Sequence, residues 1–314
     1  MMSKAPFFSR FIVLIASMTM AHTAHANGAE TQSNDGHHKD AMLIKDFDIS
    51  YRPDGDARVY YSYHGDALPD IYVKPEGCDE INLTKSEETW DIEPDYSPDG
   101  KSIVYSSGVG MPYLELRLMN ADGSHNREFY DGPDTEVGAS WSPDGSKITF
   151  TSFDHSTMLA DIYIIDSDGG GLVNLTADMP GASTGASWSE DGKRIVFDHG
   201  DDPEGSKEIY VMVPDGSHKT RLTNSSLSKF GPTFTPDGET IVYAGVVEGY
   251  TQLFAISAQG IDEGANGLML NTARDQHAYF PSISPDGRHL LYSTGDWTTG
   301  FSMAHLPAPH ASKQ

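Results

Sequence analysis

The chain has 314 residues, with 46 Asp and Glu against 21 Lys and Arg, for a formal net charge of −25. So acidic a surface repels nucleic acid and anionic lipid, which excludes nucleic-acid binding, and it suits cations, basic partners or a salty milieu. The single cysteine, Cys78, rules out an internal disulfide, so the fold must stand on packing.

The first element is a leader. Lys4 and Arg10 flank a short basic region, Phe11 to Met20 is apolar, and Ala24-His25-Ala26 offers small residues at a cleavage site. This layout predicts a secretory signal peptide over 1–26. Its apolar run of 10 residues falls well short of the roughly 20 that span a bilayer. Cleavage after Ala26 removes two basic residues and leaves 288 residues with a net charge of −27, with no later segment apolar enough to cross a membrane. Residues 27–41, rich in Gly, Asn, Ser and His, read as a flexible lead-in. His37 and His38 lie there.

From residue 42 to 306 one pattern recurs. The tetrapeptides Arg52-Pro53-Asp54-Gly55, Ser97-Pro98-Asp99-Gly100, Ser142-Pro143-Asp144-Gly145, Ser189-Glu190-Asp191-Gly192, Thr235-Pro236-Asp237-Gly238 and Ser284-Pro285-Asp286-Gly287 have aspartates separated by 45, 45, 47, 46 and 49 residues. A period of this size built from short strands predicts propeller blades, and long runs of helical periodicity are missing. Tyr51, Tyr96, Trp141, Trp188, Phe234 and Ile283 precede the turns as the ends of first strands. After each turn a second strand alternates apolar positions, as in Ile103/Tyr105 and Ile148/Phe150. A third strand (Ile162-Tyr163-Ile164, Ile209-Tyr210-Val211), a second Gly turn (Asp168-Gly169, Asp215-Gly216) and a short fourth strand (Asn174-Leu175-Thr176) complete the unit. The expectation is an all-β, six-bladed propeller of four-stranded blades. The sixth unit lacks a fourth strand before the polar tail 307–314. Met42-Leu43-Ile44 is expected to supply it and to close the ring, hiding a sheet edge.

The unit running from Trp141-Ser142-Pro143-Asp144-Gly145 through Asp161-Ile162-Tyr163 to Asn174-Leu175-Thr176 resembles the TolB-type propeller repeat, and the likeness covers nearly all of the chain after the leader. The resemblance implies a bacterial exported protein, periplasmic or secreted. TolB itself carries a separate α/β domain ahead of its propeller and docks protein partners in the cell envelope. Only 15 residues separate the expected cleavage site from Met42, so that domain is not expected here.

Strand order puts both Gly turns of every unit on one face and the longer, variable loops on the other, where binding residues tend to gather. Trp90, Asp91, Glu93, Glu136, Tyr250 and Trp297 are the candidate ligand-binding residues of that loop-rich face, with Asp91 and Glu93 placed in the loop before a strand that begins near Asp95. Phe153 is a further aromatic anchor. The alternative for these aromatics is ordinary packing beneath the loops. His64, His155, His199, Gln276 and His277 are candidate metal ligands. A divalent cation is the one cofactor this chemistry could take; the alternative is a solvated acidic rim. Within the TolB-like group, oligogalacturonate lyases hold a His/Gln-coordinated metal in the mouth. Gln276-His277 resembles part of such a site, though Tyr279 stands where a further histidine is usual.

Three other patterns read as structural. Gly181-Ala182-Ser183-Thr184-Gly185 fits the nucleophile-elbow spacing without its strand-turn-helix context. Asp166-Ser167-Asp168-Gly169 begins like a calcium loop but lacks the downstream glutamate. Cys78 falls in a turn and reads as a surface thiol. Two functions remain: a module binding a protein, peptide or glycan, and a metal-dependent lyase or lactonase-like hydrolase.

Overall fold

Ser142 to Gly145 shows how the repeat makes its turns. The Gly145 N–H donates to the Ser142 carbonyl at 2.9 Å, and the Ser142 hydroxyl donates to Asp144 Oδ1 at 2.7 Å. The same hydroxyl accepts from the Lys147 N–H at 2.9 Å, so serine and aspartate lock the hairpin from inside. Gly145 has φ of 71° and Gly238 of 67°, the left-handed region in which a β-carbon is costly. A β-carbon on Gly145 would also stand 3.3 Å from Pro98, the proline of the preceding turn, so successive turns abut.

The structure, a computed structural model, describes residues 47–64, 67–110, 113–201, 206–260, 267–271, 276–296 and 300–309. The expected signal peptide, the lead-in and Met42-Leu43-Ile44 lie outside them. Among the described residues there is no helix. The first unit is β1 (Phe47–Tyr51), β2 (Ala57–Ser62), β3 (Asp70–Pro75) and β4 (Ile81–Asn82). The second is β5 (Trp90–Tyr96), β6 (Ser102–Gly110), β7 (Tyr113–Asn120) and β8 (Arg127–Tyr130). Next come β9 (Thr135–Trp141), β10 (Lys147–Asp154), β11 (Leu159–Asp166), β12 (Val173–Asn174), β13 (Ala182–Trp188), β14 (Ile195–Gly200), β15 (Glu208–Met212) and β16 (Thr220–Arg221). The chain ends with β17 (Lys229–Phe234), β18 (Thr240–Val247), β19 (Tyr250–Ser257), β20 (Leu268–Met269), β21 (His277–Ile283), β22 (His289–Asp296) and β23 (Gly300–Pro307).

The architecture is an all-β propeller, with antiparallel strands laid in chain order within each unit. Its hydrogen-bonded sheets differ from the expectation of six separate four-stranded ones. Among the described residues there are three four-stranded sheets, one eight-stranded sheet and one three-stranded sheet, β21-β22-β23. The eight-stranded sheet arises because Ala160 in β11 bridges in parallel to Ala182 in β13, two alanines small enough for neighbouring units to meet backbone to backbone.

Packing follows the alternation read in the sequence. Ile103, Tyr105, Ile148, Phe150, Ile195, Phe197, Ile241 and Tyr243 on the second strands are all buried. First strands pack in succession, β1 on β5, β5 on β9, β9 on β13, β13 on β17, β17 on β21, and β21 back on β1. At that last junction the Phe47 ring meets Phe301 at 5.3 Å and Phe280 at 6.2 Å, joining the two ends of the described chain through their cores. The Asp-Ile-Tyr and Asn-Leu-Thr motifs are mutual ties: Asp161 accepts from Asn174 Nδ2 at 2.9 Å and Thr176 Oγ1 at 2.6 Å, and Asp70 likewise from Asn82 and Thr84.

Candidate ligand-binding channel

Each first strand carries a β-bulge at the same place. Register breaks occur between Phe47 and Ser50, Ile92 and Asp95, Thr184 and Ser187, Phe230 and Thr233, and Tyr279 and Ser282, with the equivalent break opposite β9. The bulged residue is left-handed in every case: Asp48 (49°), Glu93 (53°), Gly138 (62°), Gly185 (65°), Gly231 (56°) and Phe280 (51°). All sit six positions before the aspartate of their tetrapeptide. Glycine takes this conformation at little cost. Asp tolerates it, whereas for Glu and Phe it is strained.

These bulges line a cavity of about 570 Å³ along the propeller axis. Its walls also include Phe153, Ala160, Lys207, Val246, Gly249 and Thr251, all near the loop-rich ends of their strands, and no Pro-Asp-Gly turn contributes. The cavity therefore opens on the loop-rich side. One wall is acidic: Asp48, Glu93 and Asp95. Glu93 Oε2 accepts the Gly138 N–H at 2.6 Å, and Asp95 accepts from Ser50 Oγ at 2.7 Å and the Trp141 N–H at 2.9 Å. Burial pushes Glu93 up to about 7 and Asp95 to about 6. Asp48 is raised well above the usual carboxylate range, by burial first and then by the charges of Glu93 and Asp95. Across the cavity Lys207 Nζ donates to Asp198 Oδ1 at 2.7 Å, and Asp198 Oδ2 accepts the Gly231 N–H at 3.1 Å. Phe230, Tyr279 and Phe280 supply aromatic surface between the two.

The candidates read from the sequence fall in different places. Glu93 lies in the channel, within β5 rather than in a loop before it. Trp90 and Asp91 are also in β5 and buried: Asp91 accepts from Ser107 Oγ at 2.5 Å, and the Trp90 indole lies beside Gly110. Glu136 is buried in β9, with its Oε1 3.4 Å from Ser152 Oγ and no partner for Oε2 among the described residues. Tyr250 is half-buried against His277, and Phe153 is buried at the channel wall. Trp297 is outside the described residues.

The structure does not gather the metal candidates: His64, His155 and His199 are engaged within their own units, and His277 also meets β19 of the preceding one. His64 stacks on Tyr72 with Nε2 3.6 Å from Glu80, and His155 Nε2 lies 2.9 Å from Thr135 Oγ1. His277 Nδ1 meets the Tyr279 hydroxyl at 3.0 Å and the Thr251 N–H at 3.2 Å, and Gln276 is exposed. Among the described residues no group of three or more His, Cys, Asp or Glu side chains is disposed to hold a metal ion. His199 forms a different arrangement: Nδ1 is 2.9 Å from Ser183 Oγ and Nε2 is 3.1 Å from Asp201 Oδ1. This Ser-His-Asp line runs through the elbow-like motif. Ser183 is only 1% exposed and is not among the residues that line the cavity. The calcium-like turn at Asp166 is tied to Lys147 at 2.5 Å, and Cys78 is exposed with a free thiol.

Sequence reasoning missed Asp48, Asp95 and Lys207, while Asp198 was legible as a residue of the loop-rich face. The signal was present in Gly138, Gly185 and Gly231, which share one offset from the turn aspartate and mark the bulge; Asp48 and Glu93 occupy that offset in the first two units.

The TolB beta propeller domain family matches residues 110–307. The chain belongs to the TolB β-propeller family. No curated protein matches it. Among solved structures it is similar to TolB from Acinetobacter baumannii, with 23% identity and a TM-score of 0.57 over 69% of this chain and 53% of that one. The present chain thus spans about half the length of that protein. It is also similar to the putative TolB from Agrobacterium tumefaciens, with 19% identity and a TM-score of 0.54 over 84% of this chain and 82% of that one. An oligogalacturonate lyase in complex with manganese aligns with 14% identity and a TM-score of 0.53, over 86% of this chain and 91% of the lyase. At these identities the likeness is one of fold. No helix among the described residues is long and apolar enough to cross a membrane.

Proposed function

We propose that the chain is an exported, periplasmic or secreted, six-bladed propeller that works as a binding module, docking a polypeptide on its loop-rich face. The supporting observation is the axial cavity, which opens among the loops and carries Asp48, Glu93, Asp95 and Asp198 against Lys207. Beside the mouth face, the hairpin between β6 and β7 presents Val109 and Tyr113, 71% and 70% exposed, as apolar contact points. The overall acidity steers basic partners toward the protein.

The ring closure belongs to the same reading. Met42-Leu43-Ile44, outside the described residues, is the proposed closing strand, and the sheet it would complete, β21-β22-β23, has three strands among the described residues. The metal-dependent lyase or hydrolase reading has the fold likeness to the oligogalacturonate lyase behind it and no convergent ligand set among the described residues.

The test is site-directed photo-crosslinking in a bacterial host exporting the protein. A crosslinker at Tyr113 or Tyr250 is expected to capture the same partner. One at Asp122 or Lys193, in the turns of the opposite face, is expected to capture none. Adducts of equal yield from both faces would overturn the assignment.

A further inference from the structure

The channel wall holds one group whose surroundings leave its chemistry unmet. Asp48 is half-buried on β1 and lines the cavity, and its carboxylate takes no hydrogen bond from any of the described residues. Its neighbours differ. Glu93 is engaged by the Gly138 N–H, Asp95 by Ser50 and Trp141, and Asp198 by Lys207 and Thr184. A carboxylate partly withdrawn from water with no donor from the protein is costly, and Asp48 sits at a left-handed position where glycine serves the equivalent bulges of three other units. Structure alone gives no reason for a carboxylate there.

We infer that the channel is a receptor for an organic ammonium carried on an apolar body, seated between Asp48 and Glu93 with its hydrocarbon against Phe230, Tyr279 and Phe280. An ammonium brings three donors, which satisfies Asp48 and the free acceptor capacity of Glu93 together. The aromatic faces beside them add cation–π attraction in a site screened from bulk water. The cavity of about 570 Å³ admits more than a bare ion, and its largely apolar wall suits a hydrocarbon stem. The charged and titratable groups facing the site are Glu93 and Asp95 from β5, Asp198 from β14, Lys207 before β15, and His277 and Tyr279 from β21. Among the described residues of the wall carboxylates outnumber the Lys207 ammonium, so an anionic ligand is disfavoured. Burial pushes Glu93 up to about 7, and burial with the charges of Glu93 and Asp95 raises Asp48, so a cationic ligand displaces protons as it enters.

The ammonium can come from a free amine or from a lysine of a docked chain, and the latter case rests on the binding-module reading above. The experiment is calorimetric titration at pH 6.5 with 2-phenylethylammonium, with 2-phenylethanol as its neutral counterpart, against the full mature chain and the Asp48→Asn variant. Asparagine tolerates the left-handed bulge, so this variant is expected to keep the parent's thermal stability. The ammonium should bind at least tenfold more tightly than the alcohol and lose at least tenfold in affinity in Asp48→Asn. The alcohol should bind both proteins within twofold. Repeating the titration in buffers of different ionisation enthalpy should show proton release for the ammonium alone. A blocked tripeptide with central lysine, compared with its norleucine analogue, separates the two sources: a gain specific to lysine assigns the ammonium to a polypeptide, and binding of the small amine alone assigns it to a free ligand. Equal binding of ammonium and alcohol, or ammonium binding that Asp48→Asn leaves intact, overturns the inference. Cross-links on the loop-rich face with no ammonium preference would sink this inference alone, and ammonium binding without such cross-links would sink the docking reading alone.

Discussion

Glu136 offers a stability test with a definite sign. Its side chain is fully buried in β9, one carboxylate oxygen has no partner among the described residues, and burial, aided by Asp134 and Asp131, pushes its pKa from 4.5 up to about 7. A carboxyl raised on folding stabilises the native state fully below pH 4.5, and that contribution is lost as pH rises through about 7. At about 1.4 kcal/mol for each pH unit between the two values, the full loss is about 3.5 kcal/mol, of which about 2 to 3 kcal/mol falls between pH 5 and 8. Asp48, Glu93 and Asp95 titrate in the same direction, so the wild-type profile alone does not isolate Glu136. Glu136→Gln removes the titration while keeping the shape. Urea unfolding of both proteins at pH 5, 6, 7 and 8 gives the required difference. The wild type should lose about 2 to 3 kcal/mol relative to Glu136→Gln between pH 5 and 8. Parallel profiles would refute the account of a buried, protonated carboxyl.

Three further outcomes are expected. Phe47→Ala removes the ring that joins β1 to Phe280 and Phe301 and should cost about 3 to 5 kcal/mol in chemical denaturation, as large aromatic truncations do; a cost below about 1 kcal/mol would mean that the two ends do not rely on this junction. Gly145→Val forces a β-carbon into a left-handed turn against Pro98 and should lower stability by about 1 to 3 kcal/mol by calorimetric melting, with a neutral result counting against the abutting-turn arrangement. Deleting residues 27–41 should leave the melting temperature unchanged, whereas deleting 27–46 should lower it by several degrees; equal melting of the two truncations would remove Met42-Leu43-Ile44 as the closing strand.

Much of the fold was legible because the repeat writes its turns in side chains with one conformational purpose. Ser142, Asp144 and Gly145 can be assigned roles from chemistry alone, and the buried alternation at Ile148 and Phe150 follows from strand period. The site was less legible because bulges shift side chains between faces without changing composition. Asp91 and Glu93 look alike in sequence, yet one is tied to Ser107 inside a blade and the other faces the channel. His64, His155, His199 and His277 shared only their residue type and their general position near loop ends; cross-strand partners decided where each one pointed. Asp48 could be recognised only through its equivalence to Gly138, Gly185 and Gly231, an offset that carries meaning once the bulge is known.

The central claim is that binding belongs to the loop-rich face and the channel beneath it. Hydrogen-exchange mass spectrometry of the protein with the partner captured at Tyr113, compared with the free protein, addresses it most directly. Slowed exchange is expected at 107–110, 249–252 and 276–280, and none in the turns at 97–102, 142–147 and 189–194. Protection centred on those turns, with the loop segments unchanged, would contradict the account.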